Sequence, residues 1–221
     1  MGLTKIRIQF SKSGPLRYIG HLDFLKAFQQ TISRAKLPIA YSQGFNPHML
    51  LSFALPLPLG MASICDYADL TLESGLPEDD IISQLNTHAP CGLSITNAYE
   101  FNGPGAAALV TAADYFLAAD GITENNIQIT LNQKRIIIPK KTKSGTKDTD
   151  IRPDIYNIWE DAAGRHIVMR LAAGSARFLN PLTVAGLLLG HDADPSAIVR
   201  AELYRRDDKK GLISLNETPI H

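Results

Sequence analysis

The chain has 221 residues, of which 45% are hydrophobic, so it can bury a substantial core, and intrinsic disorder is excluded as a description of the whole chain. No apolar run approaches the roughly 20 residues needed to span a bilayer. The first residues alternate polar with apolar side chains where a signal peptide would be continuously apolar. We therefore expect a cytoplasmic protein with no membrane partner.

The two cysteines, Cys65 and Cys91, stand far apart from each other in the chain. This isolation leaves no CxxC pair, no zinc-ligand spacing and no three-cysteine iron–sulfur motif. The segment from His191 to Asp194 has the residue types of a metal site, but it directly follows Gly190, a residue type that often ends a helix. We therefore predict two buried thiols, an ordinary loop after Gly190, no metal and no cofactor.

Charge is unevenly distributed along the chain, although the formal net charge is zero. Residues 1–60 hold seven Lys and Arg against one acid, Asp23. Residues 61–133 hold ten acids and no Lys or Arg, and residues 134–152 hold seven bases against two acids. Either these segments neutralise each other in the folded chain, or the two basic segments share one face that binds an anionic partner.

The first half of the chain shows alternating strand and helix periodicities. Residues 5–12 alternate polar with apolar side chains, which predicts a strand, and apolar residues recur every three or four positions over 21–36, which predicts a helix. The same reasoning predicts a strand within 50–55, a strand at 67–73, a helix at 77–88 and a strand at 93–101. This β-α-β-β-α-β order is that of a ferredoxin-like domain.

The second half offers a similar order after a Gly- and Pro-containing hinge at 101–108. We predict strands at 112–119, 135–140, 155–159, 166–171 and 198–205, with helices at 123–132 and 180–189. The predicted fold class is therefore α+β, with two tandem ferredoxin-like (βαββαβ) domains that contain antiparallel sheets. The predicted domains cover residues 1–102, which contain the candidate site, and 109–221, which contain a basic hairpin loop.

Residue types that are common in binding and catalytic sites concentrate between the first and second predicted strands. They are Arg17, Tyr18, His21, Asp23, Tyr41, Ser42, Gln43, Asn46 and His48. His21 begins the predicted helix, where unpaired backbone N–H groups can bind an anion, and its imidazole makes it the candidate catalytic residue. The alternative is that His21 and Asp23 cap the helix, while the two tyrosines pack against neighbouring residues.

Residues 134–153 form a second candidate segment, since bases mix with Gly, Ser and Thr after a predicted strand. Such a segment suits a mobile loop that contacts phosphates, and a solvated hairpin tip fits the same residues. We expect Lys140, Lys141 and Arg152 to give basic support to the site around His21. Residues 49–59 are largely apolar and contain two prolines, so they form either a stiff wall of the site or a cover over the sheet.

Five longer segments together resemble a known bacterial family. They are FSKSGPLRYIGHLDFLKAF at 10–28, LPIAYSQGFNPHMLLSFALPLPLG at 37–60, DYADLTL at 66–72, LVTAADY at 109–115 and DIRP at 150–153. The family is the radical-SAM-linked domain of unknown function, which occurs fused to a radical SAM protein or encoded beside one. This chain departs from the family pattern at Gly20, where Ser is usual, and at Met49 and Leu50, where Pro and Lys are usual. The loss of that Lys weakens the case for a phosphate contact in the loop around His48.

The resemblance implies that the partner of this chain is a radical SAM enzyme. Because the chain lacks the cysteine triplet that holds such an enzyme's cluster, it would supply recognition and not radical chemistry. The leading hypothesis is an accessory protein that presents RNA, or another anionic substrate, to the partner. One alternative is a metal-independent endoribonuclease that uses His21, by fold-level analogy with the enzymes that process CRISPR repeats. Another is a purely structural subunit that docks through residues 49–59.

Overall fold

The computed structural model describes residues 2–118, 121–142 and 145–217. Its strands are β1 (Thr4–Lys12), β2 (Leu51–Phe53), β3 (Ala62–Leu72), β4 (Leu93–Glu100), β5 (Val110–Ala118), β6 (Ile137–Thr142), β7 (Gly145–Asp150), β8 (Ile155–Glu160), β9 (His166–Ala172), β10 (Ile198–Asp207) and β11 (Gly211–Ser214). Its helices are α1 (His21–Arg34), α2 (Glu78–His88), α3 (Ala106–Leu109), α4 (Glu124–Asn132) and α5 (Pro181–Leu189). The end of the strand predicted at 112–119 lies outside the described residues.

Nine of these strands form one mixed sheet, and β6 and β7 form a separate two-stranded sheet. The order in the large sheet is β4-β1-β3-β10-β5-β9-β8, with β2 added to β3 and β11 added to β10. The α+β class is therefore confirmed. The pairing order is β4-β1-β3-β2 in the first half of the chain and β10-β5-β9-β8 in the second half. In both halves of this sheet, the last strand pairs with the first, the first with the third, and the third with the second.

Two tandem domains with separate antiparallel sheets are not evident, because β3 and β10 pair with each other. The pairing is parallel and joins Val199 to Ala62 and Arg200 to Ser63. The strand β2 is only three residues long and pairs with the far part of β3, at Ala68 to Leu70. The first residues of β3 therefore keep an unpaired edge, which β10 fills. Sequence periodicity carries no information on such edge-to-edge pairing.

The helix α1 forms where apolar residues recur at helical spacing. Phe24, Phe28 and Ile32 are buried on one face, and Phe10 of β1 lies 5.8 and 5.4 Å from the first two rings. Burial of each such side chain contributes about 1.5–3 kcal/mol. The helix ends two residues before its predicted end, because Lys36 adopts a left-handed φ of 53°.

The segment predicted as a hinge is attached to the sheet by hydrogen bonds. The backbone N–H of Ala106 donates to Asp69 at 2.6 Å, and Arg7 donates to the carbonyl oxygen of Pro104 at 3.2 Å. Arg7 also forms a buried ion pair with Asp69 at 2.7 Å. Arg7 therefore serves the fold, so the positive excess of residues 1–60 is not all available to a partner.

The two cysteines differ in their surroundings, which corrects the prediction that both are buried. Cys65 is buried beside Tyr67 and Glu202, and burial together with the nearby carboxylate raises the pKa of its thiol to about 12. Cys91 is exposed because it lies in the turn before β4. The sequence around Cys91, between Pro90 and Gly92, already has the character of a turn.

Candidate anion-binding site at the start of α1

Three charged residues are buried side by side where β1, β3 and β10 meet. Lys12 is 3% exposed, Asp66 is 4% exposed and Arg200 is 0% exposed. Lys12 and Arg200 both pair in register with Ser63, from opposite sides of β3. Residues paired directly across neighbouring strands share a face of the sheet, so Lys12 and Arg200 lie on the same face.

Arg200 joins the second half of the chain to the first through its guanidinium group. It donates a hydrogen bond to Asp66, and it donates to the carbonyl oxygens of Leu55 at 2.9 Å and Pro56 at 3.1 Å. Burial raises the pKa of Asp66, and the neighbouring guanidinium opposes this shift. Arg200 therefore fixes the segment after β2 and the carboxylate of Asp66 in one arrangement.

Lys12 is buried without a bonding partner in the part of the chain that the structure describes. Its ammonium nitrogen makes no hydrogen bond or ion pair there, and it lies 4.6 Å from the centroid of the Phe24 ring. Burial lowers the pKa of Lys12, although Asp66 attracts the charge at longer range. An ammonium held in this way leaves three donor hydrogens unsatisfied, which is costly unless a ligand or water accepts them.

Lys12 lines a small pocket, which we call the Lys12 pocket. Its other lining residues are Phe10, His21, Phe24, Phe53, Leu55, Pro56, Leu57 and Asp66. The volume of the pocket is about 10 Å³, which is enough for one water molecule or one oxygen atom of a ligand. A larger anion would therefore have room for only a single oxygen inside this pocket.

His21 lies at the mouth of the Lys12 pocket as the first residue of α1. Its ring is exposed and packs against Phe53 with 5.7 Å between centroids. The N-cap residue of α1 is Gly20, and no side chain forms a capping hydrogen bond. The alternative that His21 caps α1 is therefore wrong. Uncapped N–H groups and the helix dipole make the start of this 14-residue helix attractive to an anion.

The arrangement therefore brings together three kinds of anion-binding group. Lys12 and His21 line the same pocket, and His21 is the first residue of α1, whose first N–H groups no side chain caps. An imidazole is also a side chain that can act as a general acid or base.

Of the other predicted residues before α1, Arg17 holds loops together and Tyr18 is available at the surface. Arg17 donates to the carbonyl oxygens of Gly60 at 2.9 Å and Ser196 at 2.8 Å. The Tyr18 ring is 65% exposed and lies 5.7 Å from the Arg17 guanidinium carbon. Asp23 does not cap the helix and is exposed, with Lys26 at 3.8 Å.

The loop from Tyr41 to His48 forms a separate, exposed feature. Tyr41 pairs with Met49, and Ser42 Oγ lies 2.8 Å from His48 Nδ1. Gln43 and Asn46 are also exposed. His48 lines a groove of about 280 Å³ together with Lys5 and Phe101. The residues lining this groove and those lining the Lys12 pocket do not overlap, so the structure does not bring His48 to His21.

The second basic segment forms a hairpin, which agrees with the hairpin interpretation of residues 134–153. Lys140 is exposed on β6, and the side chain of Lys141 lies outside the described residues. Arg152 donates to the carbonyl oxygens of Leu131 at 2.8 Å and Ile155 at 2.9 Å, so it closes the end of α4. None of the described contacts of Lys140 or Arg152 reaches the Lys12 pocket.

Residues 49–59 mainly cover the sheet. The side chains of Met49, Leu51, Phe53, Leu55 and Leu57 are partly buried against the two hydrophobic cores. Leu55 and Leu57 also line the Lys12 pocket, so the segment serves as a wall there. Leu59 is 60% exposed and does not line the pocket.

Sequence reasoning missed Lys12, Asp66 and Arg200, although two of them carry a readable signal. Lys12 continues the inward-facing series of Ile6, Ile8 and Phe10 in β1. Asp66 precedes the inward-facing Ala68, Leu70 and Leu72 at the same spacing of two. A charged residue at a core position of a strand indicates a paired or functional group. Arg200 could not be assigned to this place, because its location depends on the pairing of β3 with β10.

The fold and the site define a class of α+β protein in which one mixed sheet carries a buried cationic pocket at the start of a helix. A family described as "Uncharacterized protein conserved in bacteria (DUF2344)" matches residues 5–181, and the chain belongs to this family. The matched region contains Lys12, His21 and Asp66 and ends before Arg200. No curated protein matches the chain. Among the described residues, none of the helices has the length and apolar character needed to cross a membrane.

Proposed function

We propose that this chain binds single-stranded RNA at the Lys12 pocket and presents it to a partner radical SAM enzyme. The observation that carries the proposal is the ammonium group of Lys12, a residue that is 3% exposed: it lacks a hydrogen-bond partner among the described residues and lines the same pocket as His21. One phosphate oxygen would accept from Lys12. The remaining oxygens would accept from His21 and from the first N–H groups of α1.

Exposed aromatic rings in the first half of the chain favour RNA over a simple inorganic anion. Tyr18 is 65% exposed and precedes His21 by three positions, and Tyr41 and Phe45 are 45% and 106% exposed on the loop after α1. Aromatic rings stack on unpaired bases of any sequence. Bases that are stacked inside a duplex cannot reach such rings, so the proposed substrate is single-stranded.

Electrostatic support for the RNA comes from α1 itself. Lys26 and Arg34 are exposed on this helix. Arg7 and Arg17 are bonded within the fold, so they add little to a phosphate contact. Lys140 and Lys141 would contribute only if the RNA extends to the β6–β7 hairpin.

The proposed partner rests on the sequence resemblance and on the chain's own composition. A protein without a cysteine triplet needs another chain to supply radical SAM chemistry. Leu22 and Leu59 are 70% and 60% exposed, and both lie within two residues of the chain from a residue that lines the Lys12 pocket. They offer an apolar contact for that enzyme. The equal strand orders of the two halves also lead us to infer two ferredoxin-like units that share one sheet.

Fluorescence anisotropy with a labelled single-stranded RNA tests the RNA proposal. We expect saturable binding that weakens as KCl rises, because each phosphate contact releases counterions. His21→Ala should weaken binding about tenfold or more, whereas His191→Ala, in the loop after α5, should leave it unchanged. Binding that is absent, independent of salt or equal in the two variants would contradict the proposal.

A second function is favoured by the presence of His21 and Lys12 in one pocket. In a metal-independent endoribonuclease, His21 would take the proton of a ribose 2′-hydroxyl, whose oxygen then attacks the adjacent phosphorus. The 5′-oxygen leaves and is protonated, which gives a 2′,3′-cyclic phosphate and a 5′-hydroxyl, while Lys12 stabilises the charge on the phosphorane. This function predicts that the wild-type chain cleaves RNA in the presence of a metal chelator and that His21→Ala does not. RNA that stays intact with the wild-type chain would exclude it.

A further inference from the structure

A cavity of about 400 Å³ lies at one end of the large sheet, among the first residues of β5 and β8, the residues directly after β9 and the end of β10. No residue of its lining belongs to the Lys12 pocket. Its size falls within the range of small-molecule sites, about 300–1,000 Å³. A ligand there would be independent of an anion bound at His21.

Two arginines line this cavity. Arg206 is exposed, and its guanidinium makes no hydrogen bond or ion pair with the described part of the chain. Arg177 forms an ion pair with Asp154 at 2.7 Å through Nε, which holds its planar group in place. A guanidinium presents several donors in a fixed fork, which suits the oxygens of a phosphate.

The rest of the cavity is mostly apolar and has one aromatic ring. Val110, Ala173 and Leu212 form its apolar part, and the Tyr156 ring is 45% exposed. The Tyr156 hydroxyl has no hydrogen-bond partner within the described ranges. A planar, mostly apolar ligand group can stack on this ring, and its polar edge can bond to the hydroxyl.

Gly174 fixes the shape of the cavity at the end of β9. Its φ is +136°, and a Cβ atom at this position would lie 2.2 Å from the carbonyl oxygen of Val110. The backbone of the two strands can approach this closely only because residue 174 is glycine. The apolar part is therefore preformed, which lowers the entropy lost on binding.

We propose that this cavity binds a nucleoside monophosphate. The base would stack on Tyr156, and the phosphate would accept hydrogen bonds from Arg206 and Arg177. The same chemistry is carried by a free mononucleotide and by the 5′-phosphorylated end of an RNA strand. The site goes beyond the RNA contact at Lys12, because it recognises a terminal phosphate and one base.

Isothermal titration with adenosine 5′-monophosphate, adenosine and inorganic phosphate tests this site on the full chain. The monophosphate should bind at least tenfold more tightly than either part alone. Arg206→Ala should lower its affinity at least tenfold, and Tyr156→Ala should lower it as well. Lys209→Ala is the matched control, because Lys209 is an exposed base just after β10 that does not line the cavity.

Two further arms separate the possible sources and the two sites. The first arm compares the affinity of the wild-type chain for 5′-phosphorylated and 5′-hydroxyl RNA. If it prefers the phosphorylated strand and Arg206→Ala abolishes that preference, the ligand is a strand end. Monophosphate binding without that preference would identify a free mononucleotide. Arg206→Ala should leave the binding of 5′-hydroxyl RNA unchanged, so failure of the RNA proposal is distinguishable from failure of this one. No binding of the monophosphate up to about 1 mM, or equal binding by wild type and Arg206→Ala, would overturn the proposal.

Discussion

Arg200 of β10 and Asp66 of β3 form a buried ion pair that joins the two halves of the sheet beneath the Lys12 pocket. The Arg200 side chain is fully buried, and the same guanidinium holds the carbonyl oxygens of Leu55 and Pro56 in the pocket wall. A residue of the second half therefore shapes a site that is otherwise built from the first half. This ion pair is therefore one of the contacts that hold the two halves together in one sheet.

Removal of one partner of this pair should destabilise the fold strongly. Arg200→Met leaves the Asp66 carboxylate buried without its partner, and we expect the free energy of unfolding to fall by about 3–5 kcal/mol. Urea denaturation measures this change. Lys26→Ala, which breaks the exposed pair with Asp23, should cost less than about 1 kcal/mol. A loss for Arg200→Met as small as that of the control would argue against a structural role for the pair.

Replacement of Lys12 should have the opposite effect on stability. Lys12→Met places an apolar side chain of similar length in an apolar pocket, so we expect a gain of about 0.5–2 kcal/mol at neutral pH. The folded chain lowers the pKa of Lys12, so the unfolded chain binds more protons there as the pH approaches 10.5. Wild-type stability should therefore rise relative to Lys12→Met as the pH rises through the lowered pKa towards 10.5. A Lys12→Met variant that is clearly less stable at neutral pH would show that Lys12 serves the fold.

Truncation of the exposed aromatic rings should weaken RNA binding without a change in stability. Phe45 is fully exposed, so Phe45→Ala removes no core contact. Loss of one base-stacking contact should cost about 1–3 kcal/mol of binding free energy, and anisotropy titration measures it. Phe178→Ala, in the loop before α5, is the comparison variant. Equal affinities for the two variants would remove Phe45 from the proposed interface.

The two thiols should differ in their reactivity with a thiol reagent at pH 8. Cys91 is exposed and should react quickly, whereas burial and the raised pKa of about 12 should protect Cys65 in the folded chain. We expect one fast equivalent, which Cys91→Ser abolishes, and a second equivalent only after denaturation. Two fast equivalents in the native protein would contradict the placement of Cys65.

The sequence predicts most helices and strands correctly, because each carries its own periodicity. The strand β1 and the helix α1 were placed within two residues of their observed ends. The short strands β7 and β11 were not predicted, because the former is polar throughout and the latter has only four residues. The single sheet was missed as well, since it depends on how two edges meet in space.

The candidate site also has a part that the sequence predicts and a part that depends on the folded contacts. His21 was identified because the start of a helix can be read from sequence, and the structure places it at the mouth of a pocket. Arg17 and Arg152 were expected to bind a ligand, yet both donate to backbone carbonyl groups. A basic side chain that bonds to the main chain looks the same in sequence as one that meets a phosphate. Only the folded contacts separate the two.

The central claim is that Lys12 is buried for the sake of an anionic ligand, and the RNA affinity of Lys12→Met tests it most directly. Lys36→Met is the matched control, because Lys36 is an exposed lysine directly after α1. We expect Lys12→Met to lower RNA affinity at least tenfold while the protein stays folded, and Lys36→Met to lower it by much less. Equal RNA affinities for wild type and a folded Lys12→Met variant would contradict the account.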